Sequence, residues 1–185
     1  MILYERDYTE STVYLLAQYA MRLFIASPIV FYDYASFQKD FSKVVEGKWV
    51  EETNLHLTWI FLGEQPSAAP WRERLRQLNP LSCPASLKGV GNFGHPPHIF
   101  YAKSKAKVLY RKAAEIRRMG FELYRFTPHV TLCRIKRITN WRGYKELLEI
   151  YREKIIGEIK TEIALYESDL CPNGAIYKKI EAVTT

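Results

Sequence analysis

The sequence predicts an α+β fold of two similar lobes, with two antiparallel-rich sheets and outer helices around a central cleft. The tetrapeptide His-x-Thr-x, with a hydrophobic residue at each x, begins at His56 and again at His129, 73 positions later (129 − 56). Each copy lies in a short apolar run of the kind that forms a strand. Because similar strand and helix patterns surround both copies, we expect a duplicated, bilobal fold.

The two tetrapeptides are expected to present the same side chains in the same way. Side chains alternate between the faces of a strand, so the His and Thr of each copy point to one side. The hydrophobic residues of the tetrapeptides, Leu57 and Trp59 or Val130 and Leu132, point to the other side, toward a core. Two such strands facing each other would surround one pocket with two imidazoles and two hydroxyls.

The first half of the chain is expected to form its own lobe. Residues 1–20 are predicted to be an N-terminal extension that starts a short helix after Thr9, and Met21 is a hypothetical native start. Residues 21–185 would then form a single bilobal domain. The predicted elements are strands at 21–27, ended by Pro28, at 55–62 and at 85–93, with helices at 29–46 and 66–78.

The second half follows a similar plan. Gly120 ends the predicted basic helix, and Pro172-Asn173-Gly174 is typical of a turn between two closing strands. The predicted elements are strands at 99–102, 129–136, 158–168 and 175–183, with helices at 105–119 and 141–151.

Composition excludes some classes of protein and leaves others open. No apolar run reaches the roughly 20 residues of a membrane-spanning helix, and no secretory signal pattern opens the chain. Three widely spaced cysteines favour a reducing compartment, so we expect a cytoplasmic protein that does not act at a membrane. The net charge is +7, and residues 103–118 hold seven Lys or Arg against one Glu, which favours a polyanionic partner.

The paired tetrapeptides favour phosphodiester chemistry. Two imidazoles that titrate near neutrality can act as one acid and one base, and hydroxyl groups can donate to phosphoryl oxygens. One neutral His would take a proton from water, and one protonated His would give a proton to the departing oxygen. This scheme requires no metal and no other cofactor.

A metal site is the main chemical alternative at this stage. His95 and His98 have a ligand-like spacing, although two prolines separate them and exposed loop residues are the simpler interpretation.

With its flanking residues, the paired motif resembles the 2H phosphoesterase superfamily, and within it the RNA 2′,3′-cyclic phosphodiesterase family, also called 2′–5′ RNA ligase-like. The likeness runs from Met21 to the C-terminus. It is carried by Met21-Arg22-Leu23-Phe24-Ile25-Ala26, Asn54-Leu55-His56-Leu57-Thr58, Phe61-Leu62-Gly63-Glu64, Phe126-Thr127-Pro128-His129-Val130-Thr131-Leu132 with Arg134, Leu165-Tyr166-Glu167-Ser168, and the Pro172-Asn173-Gly174-Ala175-Tyr177 region.

The resemblance implies hydrolysis of RNA 2′,3′-cyclic phosphate ends to 2′-phosphates, and some family members also join or open 2′–5′ linkages. It implies that His56 is the proton donor, that His129 is the proton acceptor, and that Thr58 and Thr131 hold the phosphate. Arg134 matches a family arginine expected near the ligand.

Two alternatives to this reaction stay open. One is a module that binds RNA ends without turnover. The other, within the superfamily, is a phosphodiesterase for a small cyclic nucleotide or a 2′–5′ oligonucleotide.

Four side chains near the motifs have expected positions. Strict alternation puts Arg134 on the face opposite His129, so it reaches the pocket only if the strand twists or bulges at Cys133, or if its side chain wraps around the strand end. Phe126 is a candidate to stack on a base at the pocket rim, with core packing as the alternative. Trp59 and Phe61 are expected in the core.

Overall fold

A computed structural model describes residues 20–123, 125–171 and 174–184 of the chain. The described elements are β1 (Met21–Phe31), α1 (Tyr34–Ser42), β2 (Val45–Trp49), a 3₁₀ turn (Glu52–Asn54), β3 (His56–Gln65), α2 (Ala69–Arg76), β4 (Ala85–Lys88), β5 (Val90–Phe93), β6 (Ile99–Lys103), α3 (Lys107–Arg118), β7 (His129–Ile138), α4 (Trp141–Ile150), β8 (Ile155–Ile159), β9 (Ile163–Cys171) and β10 (Gly174–Val183). The predicted helix after Thr9 and the turn residues Pro172 and Asn173 lie outside this part of the chain.

The strands form one continuous antiparallel arrangement in the order β10-β9-β1-β3-β7-β6-β5. Strand β2 pairs with β7, and β8 pairs with both β1 and β4. The two halves meet between β3 and β7, where Leu57 lies opposite Val130. The predicted α+β class, with antiparallel sheets in two lobes, is confirmed.

The helices cover the backs of the two lobes. In the β7-β6-β5 half, Phe100 of β6 packs against Phe37 and Phe41 of α1 and Tyr144 of α4, with ring centroids 4.6–6.1 Å apart. In the other half, α2 lies against β9 and β10, and Leu75 of α2 is fully buried. Because aromatic rings bury large apolar areas, this packing fixes which face of each sheet is left for the cleft.

Strands β3 and β7 have the same internal pattern. Both have ten residues, and buried and exposed positions follow one another identically along the two strands. One register shift in each strand skips a residue in the pairing with a neighbour, Trp59 of β3 opposite β1 and Leu132 of β7 opposite β6. Two consecutive residues of each strand are therefore buried. Such a bulge reverses the alternation of the residues beyond it.

The helix predicted at 29–46 is wrong at both ends. Ile29 and Phe31 continue β1 and pair with β8, while Val45 begins β2. Only Tyr34–Ser42 is helical, and it starts at Asp33, which adopts a left-handed conformation (φ 55°) and accepts a hydrogen bond from the Ser36 amide. The apolar spacing of three and four residues did not separate the helix from these strand ends.

Three strand boundaries also differ from prediction. Strand β1 continues through Pro28, whose carbonyl accepts a hydrogen bond from the Lys160 amide, because proline lacks only the donor. The strand predicted at 85–93 divides into β4 and β5 at Gly89, whose φ of 77° is unfavourable for other residues. The strand predicted at 158–168 divides into β8 and β9.

In the described part of the chain, no helix combines the length and the apolar composition needed to cross a membrane.

Gly47 of β2 leaves room for the bulge in β7, so Gly47→Ala is expected to lower stability. A Cβ at this position would lie 2.7 Å from Cys133 Sγ and even closer to the Arg134 carbonyl oxygen. We expect a loss of about 1–3 kcal/mol, the usual range for overpacking, in urea unfolding. Ser86→Ala, at an exposed position of β4, is the control and should stay within about 0.5 kcal/mol of wild type. An unchanged midpoint for Gly47→Ala would contradict the tight contact.

Candidate active site

A cleft of about 640 Å³ lies at the junction of the two halves. It is open on one side, and the structure brings His56, Thr58, His129, Thr131 and Arg134 together in its lining. The other lining residues are Arg22, Leu23, Phe24, Lys48, Trp49, Val50, Glu51, Asn54, Phe61, Gly63, Ser168, Leu170, Cys171, Gly174, Ala175 and Tyr177.

The two imidazoles are held by equivalent hydrogen bonds. His56 Nδ1 lies 2.7 Å from the Asn54 carbonyl oxygen, and His129 Nδ1 lies 2.7 Å from the Thr127 carbonyl oxygen, two residues earlier in each case. A carbonyl oxygen only accepts, so each Nδ1 carries the hydrogen and donates it. This tautomer leaves Nε2 of each ring as the nitrogen available to a ligand in the cleft.

Two aromatic rings contact each imidazole. Tyr177 meets His56 edge-on at 5.2 Å between ring centroids, and Phe93 meets His129 edge-on at 4.9 Å, both with interplanar angles of 89°. Phe24 adds a second ring beside His56 at 5.1 Å, and Tyr101 adds one beside His129 at 5.5 Å. These contacts fix the ring planes, which the backbone hydrogen bonds alone do not do.

The electrostatic environment of His56 favours its neutral form. Burial lowers the pKa of His56 below its ordinary value of 6.5, and the nearby His129 lowers it further. The hydrogen bond to the Asn54 carbonyl opposes both effects because it stabilises the protonated ring. An anion bound between the two imidazoles would likewise raise the pKa of His56, because it would stabilise the protonated ring.

Asn54 connects His56 to strand β10 of the same half. Its carbonyl accepts from the imidazole, while its side-chain amide donates to the Ala175 carbonyl of β10 at 2.9 Å. The β9–β10 hairpin, which supplies Tyr177, is thereby tied to the segment that precedes β3. Asn54 and Tyr177 carry part of the family resemblance in the sequence, but no role is predicted for either residue from the sequence alone.

The bulge in β7 resolves the position of Arg134. Because Leu132 and Cys133 are both buried, the alternation reverses, and Arg134 lies exposed on the cleft face with His129 and Thr131. Strict alternation, which puts Arg134 on the opposite face, therefore does not apply beyond Cys133.

The same bulge in β3 places Phe61 in the cleft, so the prediction that Phe61 is a core residue is wrong. Phe61 is 73% exposed and lines the cleft, whereas Trp59 is 2% exposed, as predicted, and its indole N–H donates to Ser27 Oγ. Phe61 and Arg134 stand at equivalent positions, 73 residues apart (134 − 61). One repeat thus presents an aromatic ring where the other presents a cation.

Tyr177 lies within the electrostatic influence of two cleft arginines. Burial raises the pKa of the Tyr177 hydroxyl, while the positive charges of Arg134 and Arg22 act in the opposite direction. With Lys48, these residues give the cleft three cationic side chains, and Glu51 is the one acidic residue among the described lining residues. Such a balance suits an anionic ligand.

Three other sequence candidates lie away from the cleft lining. Phe126 stacks on Trp59 at 5.1 Å with an interplanar angle of 12°, which agrees with core packing and not with a base-stacking position at the rim. His95 and His98 are exposed in the β5–β6 loop. In the described residues, no group of three or more His, Cys, Asp or Glu converges as a metal site would require.

Comparison with known proteins gives matches over most of the chain. The chain is 32% identical to the RNA 2′,3′-cyclic phosphodiesterase of Methanocaldococcus jannaschii, across 87% of this chain and 99% of that protein. A solved protein of Thermus thermophilus superimposes with a TM-score of 0.67 at 26% identity, across 88% and 97% of the two chains.

A further solved structure supports the fold alone. E. coli LigT, crystallised in complex with ATP, superimposes with a TM-score of 0.62 at 19% identity, across 90% of this chain and 99% of that chain. No protein-family model matches the sequence. The long alignment with the M. jannaschii protein confirms the resemblance seen in the sequence, and the chain belongs to the RNA 2′,3′-cyclic phosphodiesterase family of enzymes.

Proposed function

We propose that this protein hydrolyses the 2′,3′-cyclic phosphate at the 3′ end of an RNA to a 2′-phosphate. The observation that supports it most directly is the pair of imidazoles in one cleft, each with Nδ1 engaged by a backbone carbonyl. A reaction in which one group takes a proton and another gives one needs this arrangement. The relatives named for the same activity support the choice of substrate.

In the proposed reaction, His129 Nε2 takes a proton from water as the water oxygen attacks phosphorus. The bond between phosphorus and the 3′ oxygen breaks, and His56 Nε2–H gives its proton to that oxygen. Thr58 and Thr131 donate to the phosphoryl oxygens, and Arg134 balances their negative charge. Every proton step uses a side chain of the protein, and no metal or cofactor takes part.

The lowered pKa of His56 is compatible with its role as the donor once the substrate is bound. In the free protein burial favours the neutral ring, which cannot donate from Nε2. The cyclic phosphodiester is an anion, and an anion beside the ring favours its protonated form. We therefore propose that the substrate itself brings His56 into the protonated state.

We also propose a cytoplasmic location for this activity. Cys83, Cys133 and Cys171 are unpaired, which supports a reducing compartment.

The proposed function is tested by turnover of a short RNA that ends in a 2′,3′-cyclic phosphate, with EDTA present. Wild type should produce the 2′-phosphate, and His56→Ala and His129→Ala should each lose at least about 10²-fold in kcat, the usual contribution of an acid or a base. His98→Ala, on the exposed loop, is the matched control and should retain wild-type activity. Binding of the RNA without turnover by wild type would favour the binding module instead.

The pH dependence of kcat and of kcat/KM should show that the bound substrate raises the pKa of His56. Because the pKa of His56 is lowered by burial, its protonated form is lost below pH 6.5 in the free protein as the pH rises. The alkaline limb of kcat/KM, which reports the free enzyme, should therefore lie at lower pH than the alkaline limb of kcat. NMR titration of His56 should give the same upward shift when inorganic phosphate is added. Coincident alkaline limbs would exclude the proposed substrate effect.

Removal of the Arg134 charge should weaken substrate binding. A hydrogen bond to a charged group contributes about 1.5–3 kcal/mol, so Arg134→Met should raise KM or lower kcat/KM by roughly 10- to 100-fold. The control is Arg137→Met on the same strand, whose guanidinium pairs with Glu46 at the surface and should leave kinetics unchanged. Equal kinetics for the two variants would show that Arg134 does not contact the substrate.

A further inference from the structure

A second surface with aromatic and basic side chains begins beside His129 and lies outside the cleft lining. Lys103 pairs directly with His129, and Tyr101 pairs with Thr131, across β6 and β7. Paired residues in antiparallel strands share a face, so both side chains lie on the side of the sheet that presents the imidazole. Phe93 of the neighbouring β5 lies on the same face. We call Phe93, Tyr101 and Lys103 the hairpin platform.

The side chains of the hairpin platform are held by contacts with one another and with β5. Phe93 and Tyr101 stack at 4.2 Å with an interplanar angle of 26°, and both remain partly exposed. Tyr101 and Lys103 lie across Gly91, since a Cβ there would come within 3.0 Å of the Tyr101 hydroxyl oxygen and 2.9 Å of Lys103 Cε. The missing side chain at Gly91 therefore leaves the space that the hydroxyl end of Tyr101 and the stem of Lys103 occupy beside β5.

The charge of the platform continues along the chain. Lys103 is partly exposed, and Lys105 and Lys107, which follow it, are exposed. Farther along the basic segment, residues 103–118, Lys112 is 6% exposed. Its ammonium donates hydrogen bonds to Glu115 and to the Asn79 carbonyl. Lys103, Lys105 and Lys107, by contrast, are accessible to a polyanion, and Lys103 pairs with His129 of the active site.

We propose that the hairpin platform binds the nucleotide that precedes the cyclic-phosphate end, with its base stacked on Tyr101 and its backbone phosphate at Lys103. This inference rests on the proposed function, which puts the terminal phosphate between the two imidazoles. The RNA 5′ of that phosphate has to leave the cleft. At the rim formed by His129 it meets an aromatic face and a cation together, which are the two features that hold single-stranded nucleic acid.

The test compares two substrates with the same terminal base, a mononucleoside 2′,3′-cyclic phosphate and a trinucleotide with that end. The measured quantity is the ratio of kcat/KM for the trinucleotide to kcat/KM for the mononucleoside. Because Tyr101 also touches His129, any effect on the acid–base chemistry changes both values and cancels in the ratio. Wild type should have a ratio above one.

Tyr101→Leu should lower this ratio roughly tenfold, the loss expected for one stacked base, and Lys103→Met should lower it severalfold. Tyr101→Phe keeps the ring and should keep the ratio. Lys136→Met, an exposed lysine that pairs with Glu46, removes the same charge elsewhere and should also keep it. A wild-type ratio of one, or an unchanged ratio in Tyr101→Leu, would overturn the proposal.

A binding measurement separates this inference from the proposed function. If wild type opened neither substrate, the proposed function would fail, but the platform would still be tested by fluorescence anisotropy with a labelled trinucleotide that ends in a 2′-phosphate. Weaker binding by Tyr101→Leu than by Tyr101→Phe would support the platform. Equal dissociation constants for these two variants would overturn it.

Discussion

The contact on which the site depends is the pairing of Leu57 with Val130 where β3 meets β7. Both side chains are fully buried, so the strands are anchored from behind at the same level. In a strand the neighbours of a buried residue point the other way, and here those neighbours are the His and Thr of each copy. One apolar contact between the halves therefore brings four polar side chains to one cleft, and any shift in register would separate them.

The repeated bulge turns a symmetric frame into an asymmetric site. Both strands bury two consecutive residues and then present one exposed residue to the cleft, Phe61 in one repeat and Arg134 in the other. A terminal nucleotide also has two unlike parts, an apolar base and an anionic phosphate. The exchange of an aromatic ring for a guanidinium at one equivalent position gives the two repeats different chemical character in the cleft. Under the proposed function, this difference would favour one orientation of the terminal nucleotide.

The sequence predicted the site better than it predicted the elements around it. Alternation was enough to put His56 and Thr58 on one face, because both residues precede the bulge at Trp59. Phe61 follows the bulge, and no residue type in β3 signals the extra residue, so alternation placed it wrongly in the core. Tyr177 reaches His56 only through the pairing of β10 with β9 and of β9 with β1, which depends on contacts far apart in the chain.

Burial distinguishes two imidazoles that are otherwise held alike. The hydrogen bond of His56 to Asn54 is partly buried, whereas that of His129 to Thr127 is exposed. Burial favours the neutral form of His56 because it lowers the pKa of this ring. Under the proposed function, His56 can therefore donate a proton only after the substrate anion has stabilised its protonated form. The proposed donor role of His56 thus depends on the ligand as well as on the position of the ring.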